Sequence, residues 1–127
     1  MANQEHLTIQ YNSKMKSLKG QVSSIDFQND GYHIVYIPSL KLSAYGHNLQ
    51  EAIKMMTDVV LPDFCETLMA QPFVKVISEF KSLGWNQNVF FKKEISKDSY
   101  IDKEGILRQF DLSKDTKINE SLISVAA

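Results

Sequence analysis

The sequence predicts an α+β sandwich in which an antiparallel three-stranded meander precedes two helices and a final strand. The first observation is a strand–turn–strand pattern at residues 22–37, where the Asn-Asp-Gly run at residues 29–31 supplies residues that tolerate positive φ. The second is a helical repeat of apolar residues that begins after Asn48. The third is a strand-like segment at residues 118–125.

The composition restricts the class of protein. The 127 residues fit one domain of ordinary size, and 43% apolar with 23% charged residues exclude a chain that is disordered throughout. A single cysteine, Cys65, excludes an intramolecular disulfide framework. The formal net charge of −1 provides no overall field for a phosphate backbone, which argues against a dedicated nucleic-acid binder.

The sequence contains no recognisable export or membrane-spanning signal. Residues 1–20 lack the apolar segment and the small-residue cleavage site of a secretory signal. No stretch approaches the roughly 18 apolar residues that a spanning helix needs. We therefore expect a cytoplasmic protein that makes no membrane contact.

Residues 1–21 are expected to form an arm ahead of the main unit. Residues 6–12 alternate between apolar and polar side chains, which predicts a half-buried strand. Residues 13–20 are polar and end in glycine, which predicts a loop. The lysines in this loop are expected to be solvated rather than bound to nucleic acid.

Three consecutive strands with short connections predict the meander. Residues 22–28 form the first strand, and residues 32–37, Tyr-His-Ile-Val-Tyr-Ile, form the second. The second strand is apolar or aromatic on both faces, so we expect both faces to be covered. Pro38 ends this strand because proline cannot donate a ladder hydrogen bond, and residues 40–45 resume the alternation as the third.

Two amphipathic helices follow the meander. Asn48 is a favourable N-cap with a glutamate at the capping-box position, and the apolar spacing extends the first helix to about residue 69. Pro62 lies inside this run and should kink the helix or start a second segment. The second helix is expected to begin at Pro72 and to end at Gly84 as its C′ residue.

The signals weaken beyond the second helix. Residues 88–95 suggest a strand, and residues 97–117 are mixed and polar. Residues 118–125 predict a last strand with Ile123 and Val125 on one face.

The predicted elements divide the chain into three segments. These are the arm at residues 1–21, a β-β-β-α-α unit at residues 22–85 and a C-terminal extension at residues 86–127. Within the unit, residues 23–85 hold four lysines against seven acidic residues, a balance of −3. The extension holds seven basic and seven acidic residues and is neutral.

A turn, an aromatic strand, a proline and a helix start follow one another between residues 25 and 68. The residues that mark this pattern are Asp30-Gly31-Tyr32, Ile37-Pro38, Leu40, Tyr45-Gly46 and Glu51-Ala52. The pattern resembles the HicB-like antitoxin domain family, and residues 80–85, Phe-Lys-Ser-Leu-Gly-Trp, resemble a branch whose second helix ends in Leu-Gly-Trp. The resemblance implies a partial ribonuclease-H-like fold, oligomerisation and, for partnered members, binding of a small HicA-type toxin that cleaves messenger RNA.

Two departures from that family bear on function. The helix N-cap is Asn48, where the family has threonine, which is a conservative change. Residues 86–127 show neither a helix pair nor a basic stripe of the kind that operator-binding tails carry. Binding to DNA is therefore not favoured.

The sequence shows no constellation of residues suited to catalysis or metal binding. The three histidines are His6, His33 and His47, and none stands at a metal-ligand spacing. Cys65 lies in mid-helix as a buried small apolar residue rather than a nucleophile. Asp26 and Asp30 are not placed to converge on two metal ions. We expect no enzymatic activity, no metal and no cofactor.

An aromatic face of the meander is the candidate surface for a partner or for dimerisation. Tyr32, Ile34 and Tyr36 share one face of their strand, and Tyr45 lies on a neighbouring strand. Helices can cover only one side of a small sheet, so the other side needs the C-terminal segment, a second copy or a partner protein. Tyrosine favours interfaces because it combines apolar area with a polar tip. The sequence does not decide between cover of this face by residues 86–125 and use of the face as an interface.

The expected function is non-enzymatic binding of protein by a homo-oligomer of two or more copies. Its acidic middle segment suits a small basic toxin, whose RNA-cleaving site it would mask. One alternative is a solitary oligomeric binding module without a toxin partner. The other is a DNA-binding transcriptional regulator that uses its N-terminal lysines or its last strand.

Overall fold

Strands from the whole length of the chain form one antiparallel sheet in the computed structural model, which describes residues 2–11 and 16–126. The seven strands of the described chain are β1 (Ala2–Tyr11), β2 (Lys16–Asn29), β3 (Tyr32–Ile37), β4 (Leu42–Gly46), β5 (Asn86–Gln87), β6 (Glu94–Tyr100) and β7 (Asn119–Ala126). The helices are α1 (Leu49–Met55), α2 (Leu61–Met69), α3 (Phe73–Ser82) and α4 (Lys103–Gln109). The predicted mixed α+β class is confirmed. The three-stranded meander is an understatement, because strands from both ends of the chain join it.

The sheet forks at its long central strand, β2. One edge of β2 pairs with β7 over residues 19–26. The opposite edge pairs with β1 over residues 16–21 and with β3 over residues 25–29. The sheet therefore has one arm of β1, β6 and β5 and a second arm of β3 and β4. Residues 22–24 of β2 lie between the two arms.

A buried carboxyl group occupies this fork. Glu5 is almost fully buried, and its Oε1 accepts hydrogen bonds from the Ser23 N–H and the Ser39 Oγ, both at 2.7 Å. Ser39 also accepts a 3.0 Å hydrogen bond at its carbonyl oxygen from the Trp85 indole Nε1. The network ties β1 and β2 to the turn after β3 and to the segment after α3. A buried group linked in this way is costly to remove.

The predicted loop at residues 13–20 is wrong where the structure describes it. Residues 16–20 begin β2, and Leu18 is buried, because β1 pairs along this stretch and supplies the ladder that local composition does not indicate. Gly20 stands in the strand because a Cβ there would collide with the carbonyl oxygen of His6. Residues 12–15, which belong to the same predicted loop and to the end of the predicted first strand, lie outside the described residues.

The first predicted helix begins as expected, and Pro62 alters it locally. The Asn48 side chain accepts the Glu51 N–H at 2.8 Å and caps α1. A π-helical turn, Met56–Val60, connects α1 to α2, and the Leu61 N–H donates to the Met56 carbonyl across five residues. The wider turn immediately precedes Pro62, which has no N–H for a helical hydrogen bond.

The second predicted helix, α3, also ends as expected. The Gly84 N–H donates to the Lys81 carbonyl and the Trp85 N–H to the Phe80 carbonyl, both at 3.0 Å, which forms a Schellman cap. Gly84 takes a φ of 93°, which glycine adopts without steric cost. The cap turns the Trp85 ring inward to an edge-on contact with Phe80, with 5.7 Å between ring centroids.

Two apolar cores lie on opposite faces of the sheet. Helices α1 to α3 cover the larger core, which includes Ile123 and Val125 of the confirmed last strand. The smaller core joins Ile25, Phe27 and Tyr36 to Ile106 of α4. Residues 97–117 thus contain a helix that their mixed, polar sequence does not predict. The strand suggested at residues 88–95 is wrong for residues 88–93, which form the loop between β5 and β6.

Strands from all three predicted segments meet in the single sheet. β1 comes from the arm, β2 begins in the arm and continues into the unit, and β6 and β7 come from the extension. Among the residues that the structure describes, no helix is long and apolar enough to cross a membrane.

Candidate protein-binding surface

The four residues predicted as a partner or dimer surface share one face of the sheet. Across the β3–β4 ladder, Ile34 stands opposite Tyr45, and Tyr36 stands opposite Ser43. Tyr32 shares the face of Ile34 because side chains alternate along a strand. Directly opposed residues in antiparallel strands project to the same side. The alternation in the sequence therefore placed these residues correctly relative to one another.

The C-terminal segment covers one half of this face. Tyr36 is 7% exposed, and its ring meets Phe110 edge-on with 5.1 Å between centroids. Its hydroxyl accepts a 3.2 Å hydrogen bond from Gln109 Nε2. Ile34 packs against the same core, together with Ile106 of α4. Intrachain cover therefore applies to Tyr36 and Ile34.

The other half of the face is open. Tyr32 is 43% exposed and Tyr45 68% exposed, and their rings make an edge-to-face contact with centroids 6.0 Å apart. The exposed ring of His47 lies 5.4 Å from that of Tyr32. Tyr32, Tyr45 and His47 together are called the aromatic cluster. The sequence places His47 in the turn between a strand and a helix and does not assign it to this face, although it continues the alternation from Tyr45.

The aromatic cluster adjoins an edge of the sheet. β4 is the outermost strand of its arm and, within the described chain, pairs with β3 alone. Helix α1 packs on the other side of β4 and leaves the side chains of Leu49 and Ile53 exposed. The edge strand is thus bordered by exposed apolar groups from both layers. An edge with this border can take up a partner by main-chain pairing together with side-chain contacts.

The segment that contains this edge carries an excess of exposed acidic residues. Residues 30–66 hold five acidic residues and two lysines, all of them exposed. Asp30 lies in the turn before β3, and Glu51 lies in the first turn of α1. This imbalance favours approach by a positively charged protein and disfavours approach by a nucleic acid backbone.

His6, His33 and Asp26, which the sequence analysis considered as site residues, each have a separate partner. His6 Nε2 lies 3.9 Å from the Glu94 carboxylate, and His33 Nε2 lies 3.0 Å from Gln28 Nε2. Asp26 Oδ1 accepts a 3.1 Å hydrogen bond from Asn119 Nδ2. Across the described residues, no three histidine, cysteine or acidic side chains come together as a candidate metal site. The absence of enzymatic activity stays a prediction.

Cys65 lies in α2 with its side chain buried. Burial raises the pKa of the Cys65 thiol from 9.0 to about 11, because the thiolate would lose its hydration. At neutral pH the group is therefore a protonated thiol, which is a poor nucleophile. Its position fits the predicted packing role.

We expect Cys65 to resist alkylation in the native protein. At pH 8, labelling by iodoacetamide should be far slower than in the same chain unfolded by urea, because both burial and the raised pKa suppress the thiolate. As pH rises from 9 toward 11, the unfolded thiol ionises before the native one, so stability should fall across that window. Native labelling at the rate of the unfolded chain would contradict a buried thiol.

No family model matches the chain, and comparisons with curated proteins and with solved structures found no similar protein. The resemblance to HicB-like antitoxins therefore rests on the residues between 25 and 68 and on residues 80–85, and it stays a prediction.

Proposed function

We propose that this protein is a non-enzymatic, cytoplasmic protein-binding module that binds its partner at the β4 edge of the sheet. The observation that carries the proposal is the exposed aromatic cluster beside an edge strand. Tyr32 and Tyr45 keep 43% and 68% of their surface accessible while the adjacent Tyr36 is buried under α4. Exposed tyrosines beside apolar groups are typical of the residues that dominate binding energy at protein interfaces.

A protein partner explains the composition of this surface better than a small molecule or a nucleic acid. Leu49 and Ile53 extend the apolar area beyond the aromatic cluster, on the opposite side of β4. A partner that covers both sides of a strand edge must itself be a folded chain or an extended segment. The acidic surroundings oppose a phosphate backbone.

The partner that fits best is a small basic protein. The exposed residues between 30 and 66 carry a negative excess, and charge complementarity would speed encounter and fix orientation. The resemblance to HicB-like antitoxins suggests a HicA-type toxin, whose RNA-binding surface is expected to be basic. Binding at the β4 edge would mask that surface and prevent RNA cleavage.

Binding to a small basic protein encoded beside this gene tests the proposal. The full chain should bind it in calorimetry, and Tyr45→Ser should raise the Kd by about 30-fold because it removes a central aromatic contact. Val74→Ser is the matched control, since it removes another exposed apolar side chain. Val74 is far from the proposed binding surface. Its neighbour Phe73 contacts Tyr11, which pairs with the start of β2, whereas Tyr32 pairs with the end of β2.

The same pair of variants should separate in an RNA-cleavage assay. The wild-type chain and Val74→Ser should protect RNA from the toxin at equal ratios, and Tyr45→Ser should need a large excess. Equal binding by both variants would remove the β4 edge as the binding surface. The solitary module would be supported instead by two results together. The wild-type chain would bind no such protein, and the Tyr45→Ser variant would form smaller oligomers than the wild type.

A further inference from the structure

The loop between β5 and β6 has a defined backbone. Asn88 Oδ1 accepts hydrogen bonds from the N–H groups of Phe90 and Phe91, both at 2.8 Å. The Asn88 N–H donates to the Glu94 carbonyl, and the Glu94 N–H donates to the Phe91 carbonyl, both at 2.9 Å. These bonds close the hairpin and fix the direction of its tip.

This hairpin tip presents three large apolar side chains to solvent. Val89 is 82% exposed, Phe90 88% and Phe91 66%. A phenylalanine buries a large apolar area when it is covered. Two adjacent exposed rings would therefore contribute favourable free energy to association with another surface. Lys92 and Lys93 follow directly and are also exposed. The tip is therefore an apolar knob, and the two lysines that follow it make its base positively charged.

A complementary groove lies on the helical side of the same chain. It has a volume of about 430 Å³, and its apolar walls come from β4, the π turn and α2. The apolar residues of the groove are Leu42, Val59, Val60, Phe64 and Leu68. Asp63 and Glu79 also line it and are exposed. The groove is thus apolar with acidic groups at its opening, the reverse of the tip in charge.

We propose that the hairpin tip of one copy inserts into this groove of a second copy. The aromatic rings would fill the apolar groove, while Lys92 and Lys93 would approach Asp63 and Glu79. Charge complementarity between two surfaces of one chain favours self-association over other occupants. A single groove also encloses a protruding knob better than a flat surface can.

The tip and the groove both lie beside α3, and the arrangement proposed for the two copies is a twofold dimer. Both border α3: Glu79 lines the groove, while Lys81 and Val89 line the hollow beside the tip. In the proposed dimer, one twofold axis makes both contacts at once. Such an arrangement closes on itself and does not propagate into filaments. The groove involves the Leu42 end of β4, whereas the aromatic cluster involves the Tyr45 end.

The solution mass of the full chain, measured by sedimentation equilibrium, tests this inference. The wild type should dimerise, and the double variant Phe90→Ser/Phe91→Ser should be monomeric. Leu122→Ser, which removes an exposed apolar side chain on β7, is the control and should leave the dimer unchanged. At concentrations too low for the dimer to form, melting temperatures should match among the variants, because none of these side chains is buried within one copy.

Charge reversal tests whether the hairpin tip of the second copy binds in this groove. Lys92→Glu/Lys93→Glu and Asp63→Lys/Glu79→Lys should each weaken the dimer by about tenfold or more, and the combined variant should recover most of the loss. A wild type that stays monomeric, including one whose tip binds vesicles of anionic lipid, would overturn the inference. So would a dimer that survives loss of both rings, or a combined variant that is weaker than either parent.

Discussion

Replacing Glu5 by methionine is expected to lower the free energy of unfolding by about 3 kcal/mol, a large share of the roughly 5–15 kcal/mol typical of a domain. Methionine fills a similar volume but offers no oxygen at the fork. The Ser23 N–H and the Ser39 hydroxyl would then lose the 2.7 Å acceptor that they share. Loss of an acceptor for a buried donor costs more than the bond itself contributes.

Glu5→Gln is the matched control, because it keeps an oxygen where Oε1 stands. Its loss of stability should be clearly smaller than that of Glu5→Met, since both donors keep an acceptor. The second carboxyl oxygen, Oε2, is buried and lacks a hydrogen-bond partner within the described chain, so the amide at that position replaces no bond. Urea unfolding of the two variants measures the difference. Equal stability would mean that packing, and not hydrogen bonding, accounts for Glu5.

Replacing Tyr36 by glutamate is expected to destabilise the protein by about 4 kcal/mol. The substitution removes a ring packed against Phe110 and brings a carboxylate under α4, where the side chain is 7% exposed. Burying a charge without a partner adds to the lost packing. The melting temperature should fall sharply, and amide exchange in α4 should accelerate because that helix packs over Tyr36.

Tyr45→Glu is the control from the exposed half of the same face. Tyr45 is 68% exposed, so this substitution should change stability by no more than about 0.5 kcal/mol. Tyr36→Phe should cost about 1 kcal/mol through loss of the hydrogen bond from Gln109. If the Tyr36→Glu and Tyr45→Glu variants had the same melting temperature, α4 would not cover the face as described.

Elements with local signals could be predicted from the sequence. The Asn48 cap, the interruption at Pro62 and the glycine end of α3 each depend on residues within a few positions of one another. The extension of β2 back to Lys16 could not be predicted in this way. Apart from Leu18 and Gly20 its residues are polar, and they form a strand because β1, the strand just before them, pairs with residues 16–21 and β7, from the far end of the chain, pairs from Lys19 onward.

Helix α4 was missed for a related reason. It is seven residues long and contains Gly105, so it has little apolar periodicity and weak intrinsic helix propensity. Its stability comes from packing of Ile106 against the core on the second face of the sheet. Glu5 shows the same limit, because one charged residue in an alternating strand gives no sign that it will be enclosed by a fork.

The candidate surface was predictable in part. Alternation in β3 placed Tyr32, Ile34 and Tyr36 on one face, and the register of β4 added Tyr45. Which residues of that face stay exposed depends on where α4 docks, and that docking could not be predicted. The structure therefore narrows the proposed surface to Tyr32 and Tyr45 and adds His47 to it.

Hydrogen exchange of the complex with a small basic protein tests the proposed binding surface most directly. Mass-spectrometric exchange should show slower exchange on binding at residues 42–53, which include β4 and most of α1. Exchange in α4, which lies over the buried half of the face, should stay unchanged. Slower exchange that appears elsewhere and spares residues 42–53 would contradict binding at the β4 edge.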